Sequence, residues 1–159
     1  MNQTCRLGLR ISSLLVIIGA LAALLPGTAY AGGPYQFHSI SPCRVADTRT
    51  GSGGILSSST ARDITVRSVC GIPTGATAVV LNATVVGPTA TGFLTIYPAD
   101  LGSPPTVATL TFNAGEPALG NGAIVPLGAA TDIKMIYGVG SGSATTHVVL
   151  DATGYFATN

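Results

Sequence analysis

After residue 32, apolar and polar residues alternate in short runs separated by clusters of glycine, proline, asparagine and serine. Alternation with a period of two is typical of β-strands, whereas a helix shows a period near 3.6, which no window after residue 32 sustains. The pattern therefore predicts an all-β fold, a single-domain antiparallel β-sandwich or jelly roll. It predicts about eight strands, at residues 37–48, 62–69, 76–86, 92–98, 106–113, 123–126, 132–137 and 146–156.

Two predicted strands share nearly the same six residues: Val79–Thr84 reads V-V-L-N-A-T and Val148–Thr153 reads V-V-L-D-A-T. Either the segments are equivalent central strands, or a β-rich chain repeats such short sequences by chance. The first segment is apolar on both faces, which predicts a strand covered on both sides. In the second, alternation places Leu150 and Phe156 on one face and Tyr155 on the other.

The first 31 residues break the alternation. Arg6 and Arg10 precede an apolar run, Ile11–Leu25, and a small-x-small motif follows that ends at Ala31. This order is typical of a secretory signal peptide, and it predicts cleavage between Ala31 and Gly32. The alternative is a membrane anchor, but the apolar run is shorter than the roughly 20 residues that a spanning helix needs.

Removal of the leader leaves one predicted domain, residues 32–159, and predicts a secreted or cell-surface protein. Only 8% of the whole chain is charged, against about 25% in ordinary globular domains. Without the two leader arginines, five basic residues remain against six acidic ones, a formal net charge of −1. This balance argues against nucleic acid and anionic membranes as partners. A charge-poor surface favours contact with a solid matrix or with copies of the same chain.

Two cysteines, Cys43 and Cys70, lie in the predicted domain. In an exported chain a single pair of cysteines predicts one disulfide. The alternative is two buried free thiols.

The predicted domain opens with P-C-R-V-A-D-T-R at Pro42–Arg49 and closes with G-Y-F at Gly154–Phe156. These motifs, and the apolar segments between them, resemble a bacterial family of exported, cell-surface-associated β-rich domains that carry P-x-R-x-x-D-T-R near the start and G-Y-F at the end. Family members are often joined to secreted hydrolases or repeated in large surface proteins. The resemblance covers almost all of residues 32–159 and implies export and a β-rich fold, but it implies no catalytic role.

The opening motif also has a physical interpretation of its own. In an extended strand, Asp47 and Arg49 lie on the same face as Cys43, whereas Arg44 lies on the opposite face. We expect Arg44, Asp47 and Arg49 to form a structural charge network that ties the strand end to the Gly- and Ser-rich segment 51–59, a predicted flexible loop. The alternative makes Asp47 a metal or sugar ligand.

The residues for catalysis are few, so we expect no enzymatic activity and no cofactor. His38 and His147 are the only histidines, and no serine lies in a G-x-S-x-G motif. His147 and Asp151 are ~13 Å apart along an extended strand, too far for a direct hydrogen bond. The alternative is a hydrolase whose triad is assembled from distant strands.

The sequence gives only weak indications of a metal site or a sugar site. Four aspartates lie near predicted strand ends and could bind calcium, although turn chemistry is the simpler interpretation: Asp47, Asp100, Asp132 and Asp151. Three tyrosines could form a sugar-binding stripe, although core packing is the simpler interpretation: Tyr97, Tyr137 and Tyr155.

The sequence thus favours an exported, non-enzymatic structural or adhesive domain that contacts an envelope, a matrix or other copies of itself. Strands such as 78–86 lack the Lys and Glu residues that discourage pairing between molecules. A glycan-binding module of the cell wall or matrix is the first alternative, and a small secreted hydrolase is the second.

Overall fold

The structure is a computed structural model that describes residues 34–158. The predicted signal peptide, with its cleavage site between Ala31 and Gly32, lies outside the described residues. Within residues 34–158, no helix is long and apolar enough to cross a membrane.

The described chain forms nine strands in two antiparallel sheets. The first sheet has the order β1-β9-β4-β7, with β2 added beside β9, and the second has the order β3-β8-β5-β6. The strands are β1 (Tyr35–Asp47), β2 (Leu56–Ser57), β3 (Arg62–Ile64), β4 (Ala78–Val86), β5 (Gly92–Pro98), β6 (Leu110–Phe112), β7 (Leu119–Pro126), β8 (Ile133–Val139) and β9 (Thr145–Thr158).

Apart from β2, the chain crosses from one sheet to the other at most of its connections, which gives two interleaved four-stranded sheets. This is the strand order of a jelly roll, and it confirms the predicted antiparallel sandwich. The ninth strand, β2, lies inside the segment that was expected to be a loop. It forms there because the Leu56 side chain is completely buried while its backbone pairs with β9.

The core lies between the sheets and is built from alternate residues of each strand. In β4, Val79, Leu81, Ala83 and Val85 are all buried. The opposite side of β4 is only half-buried or exposed, so the expectation of a strand covered on both sides is wrong. That side belongs to the outer face of the five-stranded sheet, which is defined here as the surface that points away from the second sheet.

The two similar six-residue segments lie in β4 and β9, which are neighbouring interior strands of the same sheet. Their fourth residues, Asn82 and Asp151, are direct cross-strand partners. The interpretation as equivalent central strands is therefore confirmed. The two segments run antiparallel and cross at this pair. Asn82 and Asp151 both lie on the outer face.

Strand pairing is irregular at three places: between Ser39 and Cys43, between Arg44 and Ala46, and between Ala152 and Gly154. Between Arg44 and Ala46, β1 has one residue more than β9, so Arg44 and Asp47 share a face, contrary to the alternation expected for an ideal strand. Between Ala152 and Gly154, β9 has one residue more than β4. As a result Tyr155 packs against the core and Phe156 lies on the outer face, the reverse of the prediction.

The predicted disulfide is present between Cys43 in β1 and Cys70 in the turn after β3. The two Cα atoms are 5.8 Å apart, in the usual range for a disulfide. The bond holds the irregular middle of β1 against the 65–77 connection.

Candidate functional site

Asp47, at the end of β1, is the centre of a charge network. Its Oδ1 accepts hydrogen bonds from the backbone N–H of Arg49 at 3.0 Å and from Arg49 Nε at 2.9 Å. Its Oδ2 accepts from Arg49 Nη2 at 2.7 Å and from Arg44 Nη1 at 3.2 Å. These hydrogen bonds, those from the Arg49 side chain above all, hold the pKa of Asp47 well below its usual value although burial opposes the shift.

The same motif fastens the end of β1 to β9. The Thr48 N–H donates to the Val148 carbonyl at 3.0 Å, and the Thr48 hydroxyl accepts from the Val148 N–H at 2.8 Å. The backbone N–H of Asp47 donates to the Ser52 hydroxyl at 3.1 Å, which fixes the following turn. The D-T-R residues therefore close a strand end.

Replacement of Asp47 by asparagine is expected to lower the melting temperature at pH 7, because Arg44 and Arg49 would lose their shared carboxylate. A carboxyl group with a lowered pKa in the folded state stabilises it above the unfolded pKa, about 3.9, and loses that effect as the pH falls. The difference in melting temperature between wild type and variant should therefore become smaller below about pH 4. Thermal unfolding followed by circular dichroism from pH 7 to pH 2 tests this. A variant with an unchanged melting temperature and lost ligand binding would make Asp47 a binding residue instead.

Arg44 extends the network across the outer face to Asp151 in β9. Its Nε lies 2.9 Å from Asp151 Oδ1 and its Nη2 lies 3.2 Å from Oδ2, a two-pronged contact. Asp151 stands opposite Asn82 of β4. These side chains, with Pro42 and Thr153, line an open depression of about 490 Å³, here called the outer-face depression.

Beside the depression lies an aromatic group on the same face, formed by Tyr35, Phe37 and Phe156. The rings of Phe37 and Phe156 have centroids 5.5 Å apart, and Phe37 is 53% exposed. Phe37 also lies directly over Gly154, where any β-carbon would collide with its ring. The glycine of the G-Y-F motif is therefore required by the close approach of an aromatic side chain.

The opposite sheet repeats this arrangement with different surroundings. Phe93 in β5 is 40% exposed and covers Gly138, its cross-strand partner in β8. Because Phe37 and Phe93 are both exposed and each covers a glycine of a neighbouring strand, on opposite faces, they form a matched pair for experiments.

The tyrosines that were considered as a sugar-binding stripe belong mainly to the interior. Tyr97 and Tyr137 are buried, and the half-buried Tyr155 packs against the core. The exposed aromatic group was missed because its members are separated by most of the chain, and the extra residue in β9 reverses the expected direction of Phe156.

The histidines occupy structural positions. His38 stacks on Tyr155 with ring centroids 4.9 Å apart. His147 Nδ1 lies 3.2 Å from the Thr48 hydroxyl, a pairing that brings a hydroxyl near a base. That hydroxyl is buried and already accepts a hydrogen bond from Val148, so it has no open approach for a substrate. In residues 34–158, neither histidine hydrogen-bonds a carboxylate.

The second polar cluster joins Asp132, before β8, to the chain after β3. The buried carboxylate accepts from the backbone N–H groups of Val66 at 2.6 Å and Arg67 at 2.7 Å, and it also pairs with the Arg67 guanidinium. Arg67 in turn donates to the carbonyls of Ala76 and Gly128. This cluster explains why β3 does not continue through Val66 and Arg67, since their backbone donors bind a side chain rather than a neighbouring strand.

The aspartates considered as calcium ligands therefore have other partners. Asp47, Asp100 and Asp132 accept hydrogen bonds from backbone N–H groups, and Asp151 pairs with Arg44. The part of the chain that the structure describes contains no group of three or more His, Cys, Asp or Glu residues that could hold a metal ion.

Comparison of the chain with protein-family models finds no match, and no curated protein matches its sequence. The chemistry of the outer face is therefore the basis for a functional assignment.

Proposed function

We propose that this protein is an exported, non-enzymatic structural or adhesive domain that contacts a bacterial envelope or extracellular matrix through the outer face of its five-stranded sheet. The observation that carries the proposal is the exposed aromatic group beside the outer-face depression. Of the other aromatic rings in the described chain, Tyr97 and Tyr137 are buried, whereas Phe93 on the other sheet is 40% exposed.

Export is supported by two independent features. The leader pattern in residues 1–31 is that of a signal peptide, and the Cys43–Cys70 disulfide is of the kind that persists in oxidising compartments. The resemblance to exported surface domains through the P-x-R-x-x-D-T-R and G-Y-F motifs agrees with both.

The chemistry of the outer face suits adhesion. Tyr35 and Phe37 are about half exposed and offer large contact areas on side chains with few rotatable bonds. The adjacent Arg44 and Asp151 already neutralise one another, so a partner meets little net charge. Such a surface binds by apolar contact and hydrogen bonds rather than by electrostatic attraction.

A glycan of the cell wall or matrix is the second candidate for the bound surface. Arg44, Asn82 and Asp151 present hydrogen-bond donors and acceptors in the outer-face depression. The Phe37 ring lies on the same face, where the apolar side of a sugar ring could stack. A few polar groups beside an aromatic surface are typical of carbohydrate recognition.

Replacement of Phe37 by alanine is expected to reduce binding of the secreted protein to isolated bacterial envelopes about fivefold, because an exposed aromatic contact is lost. The matched control is Phe93→Ala, which removes the equivalent ring from the other sheet and should leave binding unchanged. Sedimentation of envelopes with bound protein measures both, with melting temperatures to confirm that the variants are folded.

Equal losses for the two folded variants, or no binding by the wild type, would contradict the proposal. Soluble wall polysaccharide added as a competitor separates the two candidate surfaces. Release of the bound protein would identify a glycan, whereas retention would identify another envelope component.

A further inference from the structure

Apart from the two-residue β2, the two sheets end in four edge strands, β1 and β7 in one sheet and β3 and β6 in the other. An edge strand presents unpaired backbone donors and acceptors that can bind another strand. The sequence of β4, which lacks Lys and Glu, predicts pairing between molecules. In the structure β4 is hydrogen-bonded on both sides, to β7 and to β9, so it offers no edge.

Three of the four edges are poorly suited to pairing. Strand β1 has two irregularities, contains Pro42 and is tied down through Cys43. Strands β3 and β6 have three residues each, and β3 carries the charges of Arg62 and Asp63.

Strand β7 has almost none of these protections, since its one proline, Pro126, is its last residue. Its eight residues, L-G-N-G-A-I-V-P, carry no charge, and they pair with β4 without a register shift. Gly120, Gly122 and Ile124 follow one another on the outer face, and Ile124 is 63% exposed.

We propose that β7 pairs antiparallel with β7 of a second copy of this chain, in a register centred on Gly122. The inference rests on the proposed structural role and names one of its partners. In this register Ile124 lies opposite Gly120 of the second copy, and the two five-stranded sheets join across a two-fold axis into one continuous sheet.

Two features of the described residues support this partner and register. Each sheet already has a large apolar side chain over a glycine of a neighbouring strand: Phe93 covers its direct cross-strand partner Gly138, and Phe37 covers Gly154, which lies diagonally across from it. Ile124 on Gly120 would be a third case. When a strand pairs with its own copy, any charge that it carries lies near the same charge on the partner. Strand β7 has no charged residue, so its pairing meets no like-charge repulsion.

Gly122→Lys tests the proposal because it places two lysines opposite each other at the two-fold axis. No atom lies within 4 Å of a β-carbon built at Gly122, so the folded monomer can accept the side chain. The matched control, Gly140→Lys, adds the same charge at an equally open position in the turn before β9.

Sedimentation velocity of the secreted, disulfide-intact protein over a hundredfold concentration range gives the dimer dissociation constant. We expect Gly122→Lys to raise it at least about tenfold and Gly140→Lys to change it by less than about twofold. The wild-type dimer should depend little on salt, since β7 has no charges. Equal effects of the two variants would overturn the proposal.

Engineered cysteines test the register. Gly122→Cys should form a disulfide-linked dimer under mild oxidation, since the two copies of residue 122 are direct neighbours. Ile124→Cys should not, because its two copies are separated by about 13 Å along the strands. Cross-linking of Ile124→Cys alone, or of neither variant, would overturn the register.

A wild-type protein that remains monomeric throughout would overturn pairing through β7. It would leave the envelope-binding proposal intact, because loss of binding in Phe37→Ala concerns a different surface and is measured on envelopes. The two proposals therefore fail separately.

Discussion

Replacement of Asp132 by asparagine is expected to lower the free energy of unfolding by about 3 kcal/mol, the lower end of the range for breaking a buried ion pair. The Asp132 side chain is 8% exposed and its partner Arg67 is 20% exposed, so the pair is largely shielded from water. Asparagine would turn an acceptor into a group that also donates, facing the backbone donors of Val66 and Arg67. In a domain of this size the melting temperature should fall by roughly 10 °C.

The effect should depend on pH. Burial by itself would raise the pKa of Asp132, but the hydrogen bonds from Val66 and Arg67 outweigh it, and the pKa is lowered. The stabilisation is therefore complete above the unfolded pKa, about 3.9, and is lost as the pH falls through the folded pKa. Urea unfolding at pH 7 should show the full difference in the free energy of unfolding between wild type and variant. At pH 3 this difference should be smaller.

Asp63→Asn is the matched control. Asp63 is 60% exposed and lies 3.9 Å from Lys134, so its replacement should cost less than about 1 kcal/mol. Similar losses for the two variants at pH 7 would show that the Asp132 cluster does not stabilise the 65–77 connection as its hydrogen bonds indicate.

The fold was predictable because it depends on alternation, which the chain carries in nearly every strand. The exceptions have a local physical cause. Segment 62–69 reads as one strand, yet it ends at Ile64 because Asp132 captures the backbone donors of Val66 and Arg67. Leu56 forms part of a strand although glycines and serines surround it, since one buried side chain is enough to hold a two-residue pairing.

The candidate site was predictable only where its members are close in sequence. The contact between Asp47 and Arg49 spans two residues, and the D-T-R motif indicates it. Arg44 and Asp151 are 107 positions apart, and they meet because they are direct cross-strand partners, while the extra residue that follows Arg44 in β1 places Asp47 on the same face. Such an insertion has no signature in a run of alternating residues, so the sequence predicted opposite faces for Arg44 and Asp47.

Loss of the Cys43–Cys70 disulfide is expected to have the largest single effect on stability. The bond closes a loop with a sequence separation of 27. In the chain-entropy model, a loop of this length stabilises the folded state by about 3.5 kcal/mol, a large share of a total of about 5 to 15 kcal/mol. Cys43 also lies where β1 departs from regular pairing with β9, so few backbone hydrogen bonds can replace the bond there.

The double variant Cys43→Ser/Cys70→Ser should therefore unfold at a melting temperature roughly 10 °C or more below that of the wild type, measured by calorimetry. Reduction of the wild type with dithiothreitol should lower its melting temperature by a similar amount. The reductant should not change the melting temperature of the double variant. Since the bond holds β1, its loss should affect the β1–β9 pairing first, which hydrogen exchange at Arg44 and Ala46 can detect. Free thiols in the unreduced native protein, or equal melting temperatures for both proteins, would show that the disulfide does not hold β1 in place.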